Sequence, residues 1–435
     1  MLRLNSIAKS VFDASDIQFN DTDKVKLRAN GARDSYKTIS RKDIISSGRV
    51  VACEYIGQLI NKNPLAAEKY NSMLKNVGMD YNAVQRSHRE RKLLYCAAQV
   101  CKLTNEPAPQ TFEEFEKVQM NFANDKIFLR IMAAIDREVL MPIFFDVIDA
   151  VGMNLVQWEP VGFGSTKEIT VRSNDVFLYE DTAWGSSRST SKNYLYAKTI
   201  TLNPTPVTTN ATIKWYQDVV AGDAGRYYAA IMLGLYNKIY AKTISAMKKA
   251  IADNATEGYI PTDLTASTYS TSNWITITDK VAAANGVSVD SLMAIGTRSA
   301  LSNLLPVDAA GGAITGLQYG LGEAWFYNGY LPKAGGVDLF PVSPVIVPGT
   351  QNNTLDTIDT GNNIYILAKG LYRPLYGAYY QGTPITLTAT PSGGNGYAQG
   401  TADFTIDINV TATLDIKPVF ASKVGVVTSV YPEGN

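Results

Sequence analysis

One stretch, residues 223–253, constrains the fold more than any other, because its apolar residues keep a helical period over an unusual length. A helix of this length is a rod of roughly 45 Å, whereas the average globular helix has about 11–12 residues. Asp223 can cap its first turn, and lysines collect near its end, where cations suit the helix dipole. The sequence therefore predicts a long amphipathic helix in a large domain. Its apolar face consists of Tyr228, Ile231, Leu235, Ile239, Ile244, Met247 and Ile251.

Upstream of this helix, the period changes to the alternation of a β-hairpin. Residues 168–171, 175–179 and 194–202 alternate between polar and apolar, and residues 180–192 between them are polar and contain glycine. A two-stranded hairpin is marginally stable alone. We therefore expect this hairpin to pack against another copy of the chain.

The N-terminal third is predicted to be helical after an extended arm. Residues 1–50 are charged and poor in large apolar side chains, which indicates an arm that is laid on another surface. Apolar residues at helical spacing follow, and Thr111 with Glu114 fits a capping box. The predicted helices are residues 51–60, 64–77, 82–103 and 111–140.

The part after the long helix reads mainly as short strands, so the predicted class is α+β. Alternation is strict at Phe404, Ile406, Ile408 and Val410. Helices are predicted at residues 279–284 and 296–306. Strands or extended segments are predicted at residues 274–278, 291–295, 338–347, 363–368, 373–381, 383–390, 404–424 and 424–430.

The charges balance over the whole chain but not within it. Lysine and arginine number 40, as do aspartate and glutamate, which argues against a dedicated nucleic-acid binder. Residues 1–255 hold 33 basic and 27 acidic side chains, or +6, and residues 256–435 hold 7 and 13, or −6. Either the two parts face different surroundings, or the difference belongs to solvated surface.

The cysteines and the apolar runs indicate a soluble cytoplasmic chain. Cys53, Cys96 and Cys101 match no zinc or redox spacing, so we expect buried or neutral thiols in a reducing cytoplasm. The N-terminus lacks the apolar run of a signal peptide. No stretch approaches the ~20 apolar residues of a membrane helix, and we expect no membrane association.

Motifs that would support catalysis are missing from the sequence. The glycine-rich residues 311–322 lack the Gly-Lys-Ser/Thr of a phosphate loop, and no serine lies in a nucleophile elbow. His88 is the single histidine, and on one helix it would lie about 12 Å from Cys96. We therefore predict no enzymatic activity, no cofactor and no metal site.

A basic cluster lies within the predicted helix 82–103. It fits either a face that contacts nucleic acid or an acidic partner, or a solvated face. We expect His88 to be a surface residue of this helix. The residues of the candidate face are Arg86, Arg89, Arg91 and Lys92.

The order of these elements resembles the major capsid proteins of tailed bacteriophages, which share the fold of the Hong Kong 97 shell protein. The resemblance rests on the hairpin of residues 168–202, the helix of residues 223–253, the strand and short helix of residues 292–305, the apolar residues 341–350, which end in Pro-Gly-Thr, and the closing residues 413–427. It implies an α+β capsid fold in which the hairpin is the E-loop, the long helix is the spine of the P-domain, and the later part is the A-domain. The implied organisation is an N-terminal arm (1–50), a helical domain (51–159), the E-loop (160–206), the P-domain (207–272), the A-domain (273–362) and a β-rich return (363–435).

The resemblance implies a structural subunit that assembles as hexamers and pentamers into an icosahedral shell around double-stranded phage DNA. Such a protein is made in the host bacterial cytoplasm, resides in the virion, and has scaffold, portal and decoration proteins as candidate partners. The alternatives are an encapsulin-type compartment and a β-rich tail or adhesion protein. The residues expected to contact a neighbouring subunit through the E-loop are Arg172, Trp184, Arg188, Lys192 and Lys198.

Overall fold

The structure is a computed structural model in which helices and strands are mixed, and the predicted α+β class is confirmed. The chain divides into two units, which are described separately: residues 1–151, 206–236 and 383–413, and residues 152–205, 237–382 and 414–435. The structure describes residues 24–28, 36–60, 68, 71–75, 81–152, 155–171, 184, 198–222, 224–252, 260–304, 328–342, 344–347, 356–369, 373–382, 384–391 and 405–429.

The first unit begins with a strand pair that leads into a helix. Strands β1 (Lys24–Arg28) and β2 (Tyr36–Ser40) are antiparallel, and helix α1 (Arg41–Ile60) follows directly. Ser40 and Asp43 cap α1 reciprocally: the Asp43 N–H donates to Ser40 Oγ at 3.2 Å, and the Ser40 N–H donates to Asp43 Oδ2 at 3.3 Å. Ile44 and Val50 of this helix are buried. The expectation that residues 1–50 form an arm is therefore wrong for residues 41–50, because the capped helix already belongs to the core.

The helices that follow include the predicted helix 82–103, whereas the predicted helix 111–140 is divided. The predicted capping box is confirmed, since the Glu114 N–H donates to Thr111 Oγ1 at 3.3 Å. The predicted helix 111–140 is broken because Asp125 starts a new helix, its Oδ1 accepting from the Ile127 N–H at 2.7 Å. These helices are α2 (Tyr81–Thr104), α3 (Phe112–Val118), α4 (Met120–Ala123) and α5 (Lys126–Gly152).

The core of the first unit contains an aromatic cluster. Phe115, Phe122 and Phe128 have ring centroids 5.3–6.3 Å apart, and Trp215 meets Phe128 edge-on at 5.6 Å. Trp215 begins a π-helix (Trp215–Val220), so the cluster joins residues far apart in the sequence. Such pairs add about 0.5–1.5 kcal/mol each beyond their burial.

Strands in the second unit include those that carry the hairpin. Strand β3 (Val156–Val161) is missed by the sequence analysis, and β4 (Lys167–Val171) and β5 (Lys198–Leu202) pair antiparallel as predicted. Strand β6 (Thr205–Lys214) follows and belongs to the first unit from Pro206 onward. Helix α6 (Ala224–Ala252) then contributes residues to both units.

The long helix α6 has 29 residues, a length of about 43 Å, and confirms the predicted element. Of its predicted apolar face, Ile231 and Ile251 are only half-buried. The buried stripe is wider than predicted, because tyrosines and a threonine join it. Its buried residues include Tyr228, Met232, Leu235, Tyr236, Ile239, Tyr240, Thr243, Ile244, Met247 and Ala250.

The segment after α6 folds differently from the prediction. Strand β7 (Thr265–Ala266) precedes helix α7 (Thr271–Asn285), which covers the predicted strand 274–278 and helix 279–284. Ser270 Oγ caps α7 by accepting from the Asn273 N–H at 3.0 Å, and Gly286 ends it with a φ of 65°. The β-branched Ile-Thr-Ile-Thr run favours a strand locally, but burial of Trp274, Ile277 and Val281 on one face selects the helix.

A mixed sheet forms the centre of the second unit. From one edge to the other, its strands are β7, β17 (Gly425–Thr428), β13 (Asn363–Ala368), β8 (Leu292–Thr297), β10 (Val337–Val342) and β9 (Lys333–Ala334). Strand β8 is parallel to β10 and antiparallel to β13. It is buried along its whole length, as predicted for residues 291–295. Helix α8 (Arg298–Ser302) follows β8, and β11 (Val345–Ile346) and β12 (Thr357–Ile358) form a separate two-stranded sheet.

The remaining strands include the longest one. Strand β14 (Leu375–Tyr380) lies between β3, to which it is parallel, and β16 (Thr405–Pro418). Strand β15 (Ile385–Pro391) pairs with the earlier part of β16. The side chains of β16 alternate between buried and more exposed along most of its length, which confirms the predicted strand. Within the described ranges, no helix combines the length and apolarity needed to cross a membrane.

Candidate assembly site

The base of the hairpin, residues 167–171 and 198–202, forms a defined two-stranded unit that we call the hairpin root. Its register places Ile169 opposite Ile200, and Glu168 opposite Thr201. Glu168, Thr170, Thr199 and Thr201 are exposed, whereas the two isoleucines are half-buried. The root therefore has one apolar and one polar face.

Polar contacts fasten the hairpin root to strand β16. Lys417 Nζ donates to the Thr201 carbonyl oxygen at 2.7 Å, and the Asn203 N–H donates to Asp415 Oδ2 at 3.0 Å. Lys417 and Asp415 lie two residues apart on one strand, so both face the same side of the sheet. This spacing is the sequence signal that could have indicated the anchor.

Apolar packing fixes the second arm of the root. Leu202 is fully buried and lies in a cluster with Val161 and Ala378, against which Ile169 and Tyr376 also pack. A further ion pair joins Lys167 Nζ to Glu159 Oε2 at 2.7 Å. The root is therefore held by buried apolar contacts as well as by hydrogen bonds.

The predicted E-loop contact residues are only partly within the described structure. Trp184 is fully exposed, at 106% of its reference area. Lys198 begins β5. Arg172, Arg188 and Lys192 lie outside the described residues. The role of all five in contacting a neighbour stays a prediction.

The predicted basic face is not a continuous exposed surface. Arg86 is exposed, but Arg89 Nη1 donates to the Ala221 carbonyl oxygen at 3.0 Å, and Arg91 donates to Ser87 Oγ. Lys92 is 5% exposed, so its inclusion in a partner-binding face is wrong. The reason is that α2 packs on both sides and its basic residues do not all point to solvent.

Lys92 instead belongs to a buried polar triad with Asp136 and Tyr228. Its Nζ lies 3.1 Å from Asp136 Oδ1 and 3.0 Å from the Tyr228 hydroxyl oxygen, and the Tyr228 hydroxyl donates to Asp136 Oδ1. Burial, followed by the Asp136 charge, raises the pKa of Tyr228 well above its ordinary value. The tyrosine therefore stays protonated and can donate. The triad joins helices α2, α5 and α6 within the first unit.

His88 is also buried, which corrects the expectation of a surface residue. Its ring is inaccessible to solvent, and Nδ1 lies 2.9 Å from Ser47 Oγ. Burial, followed by the charges of Lys92 and Arg91, lowers the pKa of His88 to about 3. The histidine is therefore neutral near pH 7 and serves the packing of α1 on α2.

The predicted burial of the cysteines is confirmed, since Cys53, Cys96 and Cys101 are all buried. Burial is the main cause that raises the pKa of both Cys96 and Cys101, and the pKa of Cys101 rises to about 11. These two thiols are therefore neutral near pH 7. Among the described residues, no group of three or more His, Cys, Asp and Glu side chains could hold a metal ion.

Comparison with solved structures finds phage capsids and an encapsulin. The mature capsid of bacteriophage PhiM1 has a TM-score of 0.41 and 13% identity over 64% of this chain and 86% of that chain. The capsid of cyanophage P-SCSP1u has a TM-score of 0.39 and 10% identity over 63% and 86%. The encapsulin complex from Synechococcus elongatus PCC 7942 has a TM-score of 0.35 and 12% identity over 63% and 85%.

Neither a protein-family model nor a curated protein matches the sequence. Solved phage capsids are thus among the structures to which this chain is similar.

Proposed function

We propose that this chain is the structural subunit of a protein shell, which assembles as hexamers and pentamers around double-stranded phage DNA. The observation that carries the proposal is the hairpin. In the described part of the chain, β4 and β5 form a sheet of two strands and no third strand pairs with them. Such a sheet is marginal alone, yet its root is firmly held, and this arrangement suits a hairpin that completes its packing on a neighbouring copy.

The long helix supports the same proposal. A helix of 29 residues whose buried stripe runs along its length is a stiff element, well suited to a subunit that must resist pressure from enclosed DNA. A net charge of zero allows the shell to enclose DNA without clamping it. We infer a structural role for the chain, not an enzymatic one.

We also propose the domain assignment. The E-loop comprises residues 160–206 and the P-domain residues 207–272, with helix α6 as its spine. The A-domain comprises residues 273–362 and contains most of α7 together with the strands β8 and β10. Residues 363–435 return through the A-domain to the P-domain. Residues 1–40 supply an arm, and residues 41–159 supply a helical domain that begins with α1. Scaffold, portal and decoration proteins are proposed partners, the virion is the proposed location, and the host bacterial cytoplasm is the proposed place of synthesis.

Electron microscopy of the expressed protein, together with its size-exclusion profile, tests the proposal. Closed shells or flat hexamer sheets are the expected result. A chain that stays monomeric under all salt and crowding conditions, with or without a co-expressed scaffold, would contradict shell formation. Trimeric fibres would favour the adhesion protein instead. Native particles that contain a protein cargo and no DNA would favour the encapsulin-type compartment.

Variants at the hairpin tip test how the subunits join. Trp184→Glu places a charge on a fully exposed aromatic residue, so the monomer should fold normally while shell yield falls. Tyr216→Glu is the matched control, because Tyr216 is also an exposed aromatic residue, at 57%, but lies outside the hairpin. Equal shell yields from the two variants would contradict the role of the hairpin. Deletion of residues 181–191 should likewise leave a folded subunit that forms no closed shells.

A further inference from the structure

Four asparagines in the sequence are followed directly by glycine, and the structure describes two of these pairs, Asn285–Gly286 and Asn328–Gly329. Glycine has no Cβ that would shield its backbone nitrogen. That nitrogen can therefore reach the side-chain amide carbon of the preceding asparagine and close a five-membered ring. Because the two pairs consist of the same residues, their surroundings in the folded chain determine how readily each ring can close.

The fold holds the first pair in place. Asn285 ends helix α7, and its Nδ2 donates to the Val281 and Lys423 carbonyl oxygens, at 2.9 Å in both cases. The Gly286 N–H donates to the Ala283 carbonyl oxygen at 3.1 Å. Both groups that would react, the amide and the glycine nitrogen, are therefore engaged. Ring closure at this pair would first have to break these hydrogen bonds.

The second pair has different surroundings. Asn328 is exposed, and within the part of the chain that the structure describes its side-chain amide makes no hydrogen bond. Gly329 has a φ of 74°, in the left-handed region. The Arg298 guanidinium lies so close to this glycine that a Cβ at position 329 would overlap it. This pair therefore combines an unrestrained amide with a positive charge beside the glycine.

We propose that Asn328–Gly329 is a site of spontaneous deamidation, which Arg298 promotes, and that the fold protects Asn285 from the same reaction. The Gly329 N–H loses its proton to hydroxide, and the nitrogen forms a bond to Asn328 Cγ. The former amide nitrogen takes up a proton from water and leaves as ammonia, so that a cyclic imide remains. The positive charge of Arg298 favours the first step, because it stabilises the negative charge on the glycine nitrogen.

Water completes the reaction by opening the imide at either of its two carbonyl carbons. The products are aspartate and isoaspartate, and each carries one new carboxylate at position 328. Isoaspartate also adds a methylene group to the main chain. The reaction consumes only water, so the charge of the subunit surface beside Arg298 changes with time.

Peptide mapping by mass spectrometry tests this inference on the folded full-length subunit, incubated at mildly alkaline pH. Conversion at Asn328 should be more than about tenfold faster than conversion at Asn285, because several hydrogen bonds must open at the protected pair. The chain unfolded by denaturant is the matched control, in which the two sites should react at similar rates. No conversion at Asn328, or equal rates at the two sites in the folded subunit, would overturn the inference.

Two substitutions test the part that Arg298 plays. Arg298→Met should slow conversion at Asn328 by about fivefold, the effect of one charge a few ångströms away in water. Arg298→Lys keeps the charge and should retain most of the rate. An unchanged rate in Arg298→Met, or an equal loss in both variants, would overturn the promoting role of Arg298. The measurement needs no assembled shell, so a subunit that deamidates at Asn328 but never forms shells would refute only the proposed function.

Discussion

The buried triad of Lys92, Asp136 and Tyr228 allows a quantitative test of what holds the helical unit together. Both charged side chains are only 6% exposed, and the ammonium lies 3.1 Å from the carboxylate. Removing one partner of a buried ion pair leaves an uncompensated charge and typically costs about 3–5 kcal/mol. We therefore expect Lys92→Met and Asp136→Leu each to lower the free energy of opening of the first unit by about 3–5 kcal/mol.

Replacing the whole triad by apolar residues should cost less than either single change. Lys92→Met, Asp136→Leu and Tyr228→Phe together leave neither a charge nor an unpaired hydroxyl, and apolar replacement of buried ionic groups is often neutral or stabilising. The triple variant should therefore be more stable than each of the Lys92 and Asp136 single variants. The destabilisation of the triple variant should be smaller than the sum of the three single destabilisations by several kcal/mol.

Amide hydrogen exchange of helices α2 and α5 is the suitable assay, because it reports the free energy of local opening in a chain with two units. Lys333→Met is the control, since Lys333 and Asp338 are 3.0 Å apart but the lysine side chain is 64% exposed. This variant should have little effect on the exchange of β10, because an exposed pair contributes little. Additive effects of the triad substitutions, or a harmless Lys92→Met, would refute the reasoning.

Three further changes test the packing within each of the two units. The pKa of His88 falls from 6.5 to about 3 in the folded chain, so the unfolded chain binds a proton that the folded chain does not, and stability should fall as the pH drops below 6.5. The loss of unfolding free energy should approach about 3 kcal/mol at pH 4. His88→Gln should remove this part of the pH dependence of the opening free energy that hydrogen exchange measures. An unchanged pH dependence would contradict the buried, neutral histidine. Gly377→Ala should destabilise by about 1–3 kcal/mol, measured by denaturant unfolding, because its Cβ would overlap the Trp158 ring at Cε3; a neutral effect would contradict that close approach. Leu202→Ala should cost about 2–5 kcal/mol and speed amide exchange in β5, and unchanged exchange there would mean that this leucine does not hold the hairpin root.

Helix α6 and strand β16 show how much of the fold could be predicted from the sequence. Each is long, and each keeps its period over its whole length, so the pattern outweighs local exceptions. The helix of residues 223–253 was predicted to within a residue of its observed bounds at each end. Helix α7 shows the opposite case. Its β-branched residues favour a strand, and only the burial of Trp274 and its neighbours selects the helix.

The candidate site was predicted less completely than the fold. The alternation of residues 168–171 and 194–202 predicted the hairpin, and its root pairs as expected. The anchor was not predicted, because Lys417 and Thr201 are 216 positions apart in the sequence. No local period relates residues at that separation.

The sequence by itself determined the α+β class, the long helix and the base of the hairpin, because these depend on periodicity and composition within short windows. Only the tertiary structure decided that His88 and Lys92 are buried. The charge pattern of a helix shows which residues share a face, but not which face meets another element. Burial and pairing depend on groups brought together from distant positions, and those contacts determine whether a basic residue binds a partner or holds the core.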